Sequence, residues 1–140
     1  MTPDQVTLVQ DSFAKVAPIA DQAASLFYNR LFEIAPEVKP LFHGDMADQR
    51  KKLMTTLGVV VRGLSDLPAI LPAASKLAKQ HVVYGVEPVH YAPVGAALLW
   101  TLEKGLGDAW TAPVAEAWTA AYATLSDFMI SEAYGRTAAA

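Results

Sequence analysis

The sequence predicts an all-α domain, and three observations carry that prediction. Apolar residues recur three and four apart through most of the chain, the period of a buried helical face. No segment makes a convincing strand. Prolines and glycines such as Pro18, Pro36, Gly85 and Gly105 punctuate the apolar runs, as breaks between helices do. The length, 140 residues, fits one compact domain spanning residues 1–140. Helices of unequal length joined by irregular corners suit steep pairwise packing better than a symmetric bundle.

The first helix starts at Thr2-Pro3-Asp4-Gln5: Thr2 caps, Pro3 suits the first helical position, and Gln5 completes a capping box. Val6, Val9, Phe13 and Val16 form its apolar face, and Pro18 interrupts it. The second helix runs from about Ile19 to Ala35, with Phe27, Leu31 and Ile34 on one face and Tyr28 and Phe32 at its border. Pro36 opens a short turn that ends near Phe42, and His43-Gly44-Asp45 reads as a loop or cap. The third helix begins between Asp45 and Asp48 and buries Leu53, Leu57, Val60, Val61 and Leu64. Its β-branched run Val59-Val60-Val61 is helical by the spacing on either side. Pro68 and Pro72 are expected to break up the next segment, leaving a short helix from Ala73 to Val82 that carries Leu77 and His81 one turn apart. A helix from about His90 to Lys104 follows, then a turn at Gly105 to Asp108. The last helix starts at Thr111 with Pro113 in its first turn and carries Val114, Trp118, Tyr122, Leu125 and Met129. The tail from Gly135 to Ala140 is expected to fray.

Composition narrows the function. The chain is 53% hydrophobic, much of it alanine, yet has no uninterrupted apolar stretch of the roughly 18 residues a membrane-spanning helix needs. Its net charge of −3 and its one short basic run, Arg50-Lys51-Lys52, argue against nucleic acid as the main partner. The absence of cysteine excludes disulfides, zinc ribbons, thiolate-held clusters and thiol catalysis. The first residues show no basic-then-apolar leader, so the cytoplasm is the expected compartment.

Three histidines, His43, His81 and His90, are too few and too scattered for a zinc site built by the protein alone. The metalloprotease, di-iron, serine-hydrolase and phosphate-loop motifs are absent. A haem asks less of a sequence: one imidazole for its iron, an apolar slot for its ring, and an opposite face that decides what binds. Taken singly, His81 also reads as a surface or core histidine, Tyr28 as a core tyrosine, and Gln49 as a surface residue near a helix start.

Together they form a pattern. Phe27-Tyr28, Pro36 through Phe42, Gln49 with Leu53, Leu67 through Pro72, and His81 followed by His90-Tyr91-x-Pro-Val-Gly resemble a globin. The likeness is greatest to single-domain bacterial haemoglobins and to the globin part of flavohaemoglobins, over about residues 3 to 134. The resemblance implies a globin fold of six to eight helices around a haem b pocket. It places the iron ligand at His81, with Leu77 one turn before it, and the wedge against the ring at Phe42. It puts Tyr28, Gln49 and Leu53 on the ligand side and Tyr91 beside His81. Lys52 is within reach of a propionate, though a plain surface lysine reads equally well.

The resemblance further implies reversible binding of O2, CO and NO at a five-coordinate ferrous iron, because Gln49 is a poor iron ligand and His43 lies outside the distal helix. Tyr28 and Gln49 both donate hydrogen bonds, which implies high oxygen affinity. Two departures bear on activity. The glutamate that flavohaemoglobin-type globins pair with the proximal tyrosine falls on Ala133; Glu132 is adjacent but about 100° around the helix. No reductase domain follows the last helix, so nitric oxide dioxygenation, the alternative activity, calls for a separate reductase. A gas sensor acting through a partner and a haem-free helical module are the remaining readings.

Overall fold

Thr2 and Gln5 open the fold with the expected reciprocal cap. Thr2 Oγ1 accepts from the Gln5 N–H at 3.1 Å, and Gln5 Oε1 accepts from the Thr2 N–H at 3.0 Å. The computed structural model describes residues 2–42, 45–83 and 85–134. The expectations for His43 and for the tail from Gly135 to Ala140 fall outside the described residues. Within them lie six α-helices and no strand: α1 Pro3–Val16, α2 Ala20–Ile34, α3 Met46–Gly63, α4 Leu67–Val83, α5 Tyr91–Leu106 and α6 Ala112–Tyr134. Short 3-10 segments make the corners, among them Ala17–Ile19 at Pro18, Pro36–Leu41 after α2 and Leu64–Asp66 between α3 and α4. Asp45 caps α3, its carboxylate accepting from the Ala47 N–H at 2.8 Å. Gly107 ends α5 at φ +54, where a side chain would be strained.

One expectation is corrected. The segment after α3 is not broken by its prolines: α4 runs unbroken through Pro68 and Pro72. Pro68 stands at the second helical position, where no N–H partner is needed. Pro72 removes only the bond its N–H would make to the Pro68 carbonyl. Ile70, Ala74 and Ala78 are all buried, and α4 packs extensively on α6, which keeps the helix continuous through the gap. His81 therefore projects from a long helix.

The run from Met46 to Val82 also holds a window of mean hydropathy 1.4, long and apolar enough to cross a membrane by length and composition alone. The corner at Leu64–Asp66 divides it, and its two arms pack on different helices, α3 on α2 and α1, α4 on α6.

The buried side chains form three clusters. The largest joins α1, α5 and α6 through Val9, Val16, Leu102, Ala117 and Trp118. It is tied by Trp118 Nε1 donating to Ser12 Oγ at 2.8 Å. Gln10 Nε2 donates to the carbonyls of Val61 at 3.0 Å and Arg62 at 3.3 Å, capping the end of α3 from α1. The second cluster gathers around Phe27, Tyr28 and Leu31, and the third around Ala74, Ala78, Tyr91 and Met129. Helix α5 contributes to all three: Leu102 to the first, Ala97 to the second and Tyr91 to the third. The arms α3 and α4 touch each other little.

Candidate functional site

Tyr28 lies mid-way along α2, buried to 5% exposure. Its ring sits edge-on to Phe27, centroids 4.9 Å apart at 80°, and edge-on to Phe42, 5.4 Å apart at 78°. Phe42 follows the Pro36–Leu41 turn, whose Val38 is buried in the same cluster. Gln49 stands in the first turn of α3, half-buried, and its side chain hydrogen-bonds Tyr28. Burial raises the Tyr28 pKa above the ordinary 10.0, and the Gln49 bond offsets part of the rise. Tyr28 is thus a protonated phenol at neutral pH, able to donate. Leu53 comes one turn after Gln49 and packs against the same cluster. Arg50 Nε reaches Asp21 Oδ1 on α2 at 3.5 Å, a surface ion pair that fastens this turn of α3. Lys52 is exposed on α3.

His81 stands in the last turn of α4. Its Nδ1 lies 2.6 Å from the Leu77 carbonyl oxygen. A carbonyl only accepts, so the proton sits on Nδ1 and Nε2 carries the lone pair. Leu77 itself is half-buried against the third cluster. The Tyr91 ring, buried, lies 6.4 Å from the imidazole at 39°. Tyr91 is held in turn from α6: Tyr122 Oη donates to the Tyr91 carbonyl at 2.5 Å. Burial, and then the neighbouring Tyr91, push the Tyr122 pKa well above 10.0. The Val86 N–H donates to the His81 carbonyl at 2.9 Å and steers the chain out of α4.

Glu132, near the end of α6, makes its hydrogen bond away from His81. Glu132 Oε1 accepts from Ser75 Oγ at 2.8 Å, and Ser75 stands about two turns before His81. Ala133, at the place of the proximal glutamate, packs among apolar neighbours. The long-range bond of Glu132 had no sequence signal, because its partner lies 57 residues away. Phe32, one turn after Tyr28, was also missed; it completes a triangle of rings with Tyr28 and Phe42, discussed below.

The donor set fits a haem. Among the described residues no three His, Asp or Glu side chains come together, so a metal held by several protein ligands has no place. A single neutral imidazole with a free lone pair suits a metal that arrives with its own equatorial ligands. Val82, next to His81, is 41% exposed, and Leu77 is half-buried. Such a surface suits a flat apolar ring. An open recess of about 440 Å³ elsewhere, lined by Pro72, Ser75, Lys76, Lys79 and Gln80, includes none of these residues. Lys79 is about 200° around α4 from His81. Tyr28 thus lies with Phe42 and Leu53 in the second cluster, and His81 lies beside Leu77 and Tyr91 of the third.

A globin family model matches residues 25–129. The flavohemoprotein of Vibrio cholerae is 30% identical over 133 residues, covering 93% of this chain and 34% of that protein. The flavohemoprotein of Rhodopirellula baltica is 33% identical over 128 residues, covering 89% and 31%. The chain thus spans about a third of the length of the curated relatives it matches. A bacterial globin from Campylobacter jejuni superposes with a TM-score of 0.84 at 26% identity, over 98% of this chain and 99% of that one. The engineered carbene transferase RmaNOD, a candidate nitric oxide dioxygenase from Rhodothermus marinus, gives 0.85 at 26% identity, over 99% and 97%.

Proposed function

The chain belongs to the globin family, and from that premise we propose that it holds haem b through His81 Nε2 and reversibly binds O2, and also CO and NO, on the Tyr28 and Gln49 side. The observation that carries the reading is a phenol buried among Phe27, Phe32 and Phe42, set in a different cluster from an imidazole whose Nδ1 is already taken. Haem supplies the iron at which a diatomic gas binds. The chain's residues set the terms.

Burial raises the Tyr28 pKa, so the phenol keeps its proton and can donate it to the gas ligand. The Gln49 amide, close to the same hydroxyl, is a second donor. Each such bond in a dry pocket is worth about 1–3 kcal/mol, so oxygen affinity is high and oxygen release slow. An amide is a weak ligand for iron, so Gln49 leaves the gas position open. Phe42, Leu53 and Leu77 give the ring apolar contact, and Tyr91 limits rotation of the imidazole. Lys52, three residues after Gln49, meets a propionate at the rim.

A second reading, nitric oxide dioxygenation, draws on the flavohemoprotein relatives and the Rhodothermus marinus neighbour. Nitric oxide and dioxygen give nitrate at the expense of one electron, so a reductase partner is required. The hydrogen bonds weigh against strong oxygen activation. Nδ1 faces a neutral carbonyl rather than a carboxylate, and Glu132 is engaged with Ser75.

The test is an absorption series on the haem-loaded protein: ferric, reduced, then under O2 and under CO. A five-coordinate ferrous spectrum that gives a lasting complex with O2 supports the reading. A six-coordinate ferrous spectrum removes Gln49 from its place as a non-ligand. Failure to take up haem at all overturns the reading. Oxygen consumption with nitric oxide and a flavin reductase separates the two activities.

A further inference from the structure

We infer that Phe32 is the positioning residue that aims the Tyr28 hydroxyl. This rests on the ligand-side role proposed above for Tyr28 and adds a residue outside that role. Phe32 lies one turn after Tyr28 on α2. Side chains of a helix lean back toward its N-terminus, so the ring at i+4 comes down beside the ring at i. The centroids of Tyr28 and Phe32 are 6.0 Å apart at 34°. Phe42, from the far end of the following turn, closes the triangle: 5.4 Å from Tyr28 at 78°, and 5.5 Å from Phe32 at 67°. Both of these contacts are edge-to-face, the attractive arrangement for aromatic pairs, which also fixes orientation.

The rings differ in surroundings. Tyr28 is 5% exposed, with Phe27 against it on the remaining side. Phe32 is half-buried and carries Lys39 Nζ 5.8 Å from its centroid. Lys39 and Phe42 both belong to the chain that follows α2, so Phe32 is gripped between that chain and its own helix. It is the outer stop of the cluster. Without its ring, Phe42 loses one of its two aromatic partners and Tyr28 loses the neighbour on its C-terminal flank. A tyrosine in a helix has two ready χ1 rotamers, and neighbours choose between them. The choice sets where the hydroxyl ends, because that oxygen lies at the tip of the side chain. The Gln49 bond holds the oxygen from the α3 side. Phe32 holds the ring from the other.

The inference separates from general packing by its selectivity. A carbon monoxide ligand carries little charge and leans little on a hydrogen bond, whereas dioxygen leans on it heavily. A mis-aimed phenol therefore changes oxygen release far more than carbon monoxide release. The variants are Phe32→Leu, which removes the ring, and Phe32→Tyr, which keeps it. Phe32→Met repeats the first if the leucine form does not retain haem. Tyr28→Phe is the reference.

Two readouts are taken. The first is ligand release from the haem-loaded protein. Phe32→Leu is expected to speed O2 release about three- to ten-fold, part of the loss expected of Tyr28→Phe, with CO release changed less than about two-fold. Phe32→Tyr is expected to restore the parent values. The second is the motion of the Tyr28 ring by NMR of protein with labelled tyrosine, without reference to gas binding. Phe32→Leu is expected to speed the ring flip, and Phe32→Tyr to leave it as in the parent. Equal acceleration of O2 and CO release in Phe32→Leu, or no change in ring motion, overturns the inference. If Tyr28→Phe itself leaves O2 release unchanged, the donor reading fails, and the ring motion still decides whether Phe32 holds Tyr28.

Discussion

At the scale of single residues, two tyrosines, Tyr28 and Tyr122, each give a prediction. Tyr28→Phe removes the buried donor but keeps the ring among Phe27, Phe32 and Phe42. Stopped-flow measurement is expected to show O2 release faster by about ten-fold or more, with CO release close to the parent. Tyr122 yields a pH prediction. Its folded pKa is raised, so the folded state holds the proton more tightly than the unfolded chain. That contribution to stability is complete below the unfolded value of 10.0 and declines as pH rises beyond it. Thermal melts above pH 10.0 are therefore expected to fall less steeply for Tyr122→Phe than for the parent. An identical alkaline slope in both would count against burial as the source of the shift. The meeting of Tyr28 and Gln49 was legible in the sequence only through family likeness, since 21 positions separate them. The Ser75–Glu132 bond and the Phe32 triangle were not legible, because each depends on where a distant segment packs.

At the scale of elements, the helices were legible from spacing and the effect of proline was not. The period of apolar residues marks which face a helix buries: Phe27 and Leu31 of α2 are buried as expected, but the face turns by the last turn, where Ile34 is 40% exposed, and Tyr28, expected at the border, is buried. A proline has a local effect, but whether it breaks a helix depends on what else holds that helix. In α4 the packing of Ile70, Ala74 and Ala78 outweighs one missing backbone bond. Pro72→Ala returns that bond to the Pro68 carbonyl while giving the unfolded chain more freedom. Denaturant titration is expected to show a net stabilisation of about 1–2 kcal/mol. Loss of stability would mean that Pro72 contributes by packing. The contact between α5 and α6 gives the opposite case. A Cβ at Gly95 would stand 2.5 Å from Tyr122 Cε2, closer than atoms approach. Gly95→Ala must displace the Tyr122 ring, and with it the hydroxyl that holds the Tyr91 carbonyl. The expected loss is about 1–3 kcal/mol, together with altered haem absorption bands from a displaced His81.

At the scale of the whole molecule, three clusters share six helices, and α4 belongs almost wholly to the third. That division was not visible in the sequence, which shows faces but not which faces meet. It gives a prediction about loading. The α3 and α4 arms have little contact with each other. Haem binding is thus expected to raise the melting temperature, by ordinary linkage of ligand to fold. Hydrogen exchange is expected to slow most in α4 and least in α1 and α6. Uniform slowing over all six helices would instead indicate one cooperative unit. The buried Trp118, bonded through its indole N–H to Ser12 and 2% exposed, then acquires a practical use. A compact chain of this length has a radius of gyration of about 14 Å, well inside the range over which an indole passes its excitation to a porphyrin. Its fluorescence dims as each molecule fills, so the protein carries an optical gauge of its own occupancy, readable without a label.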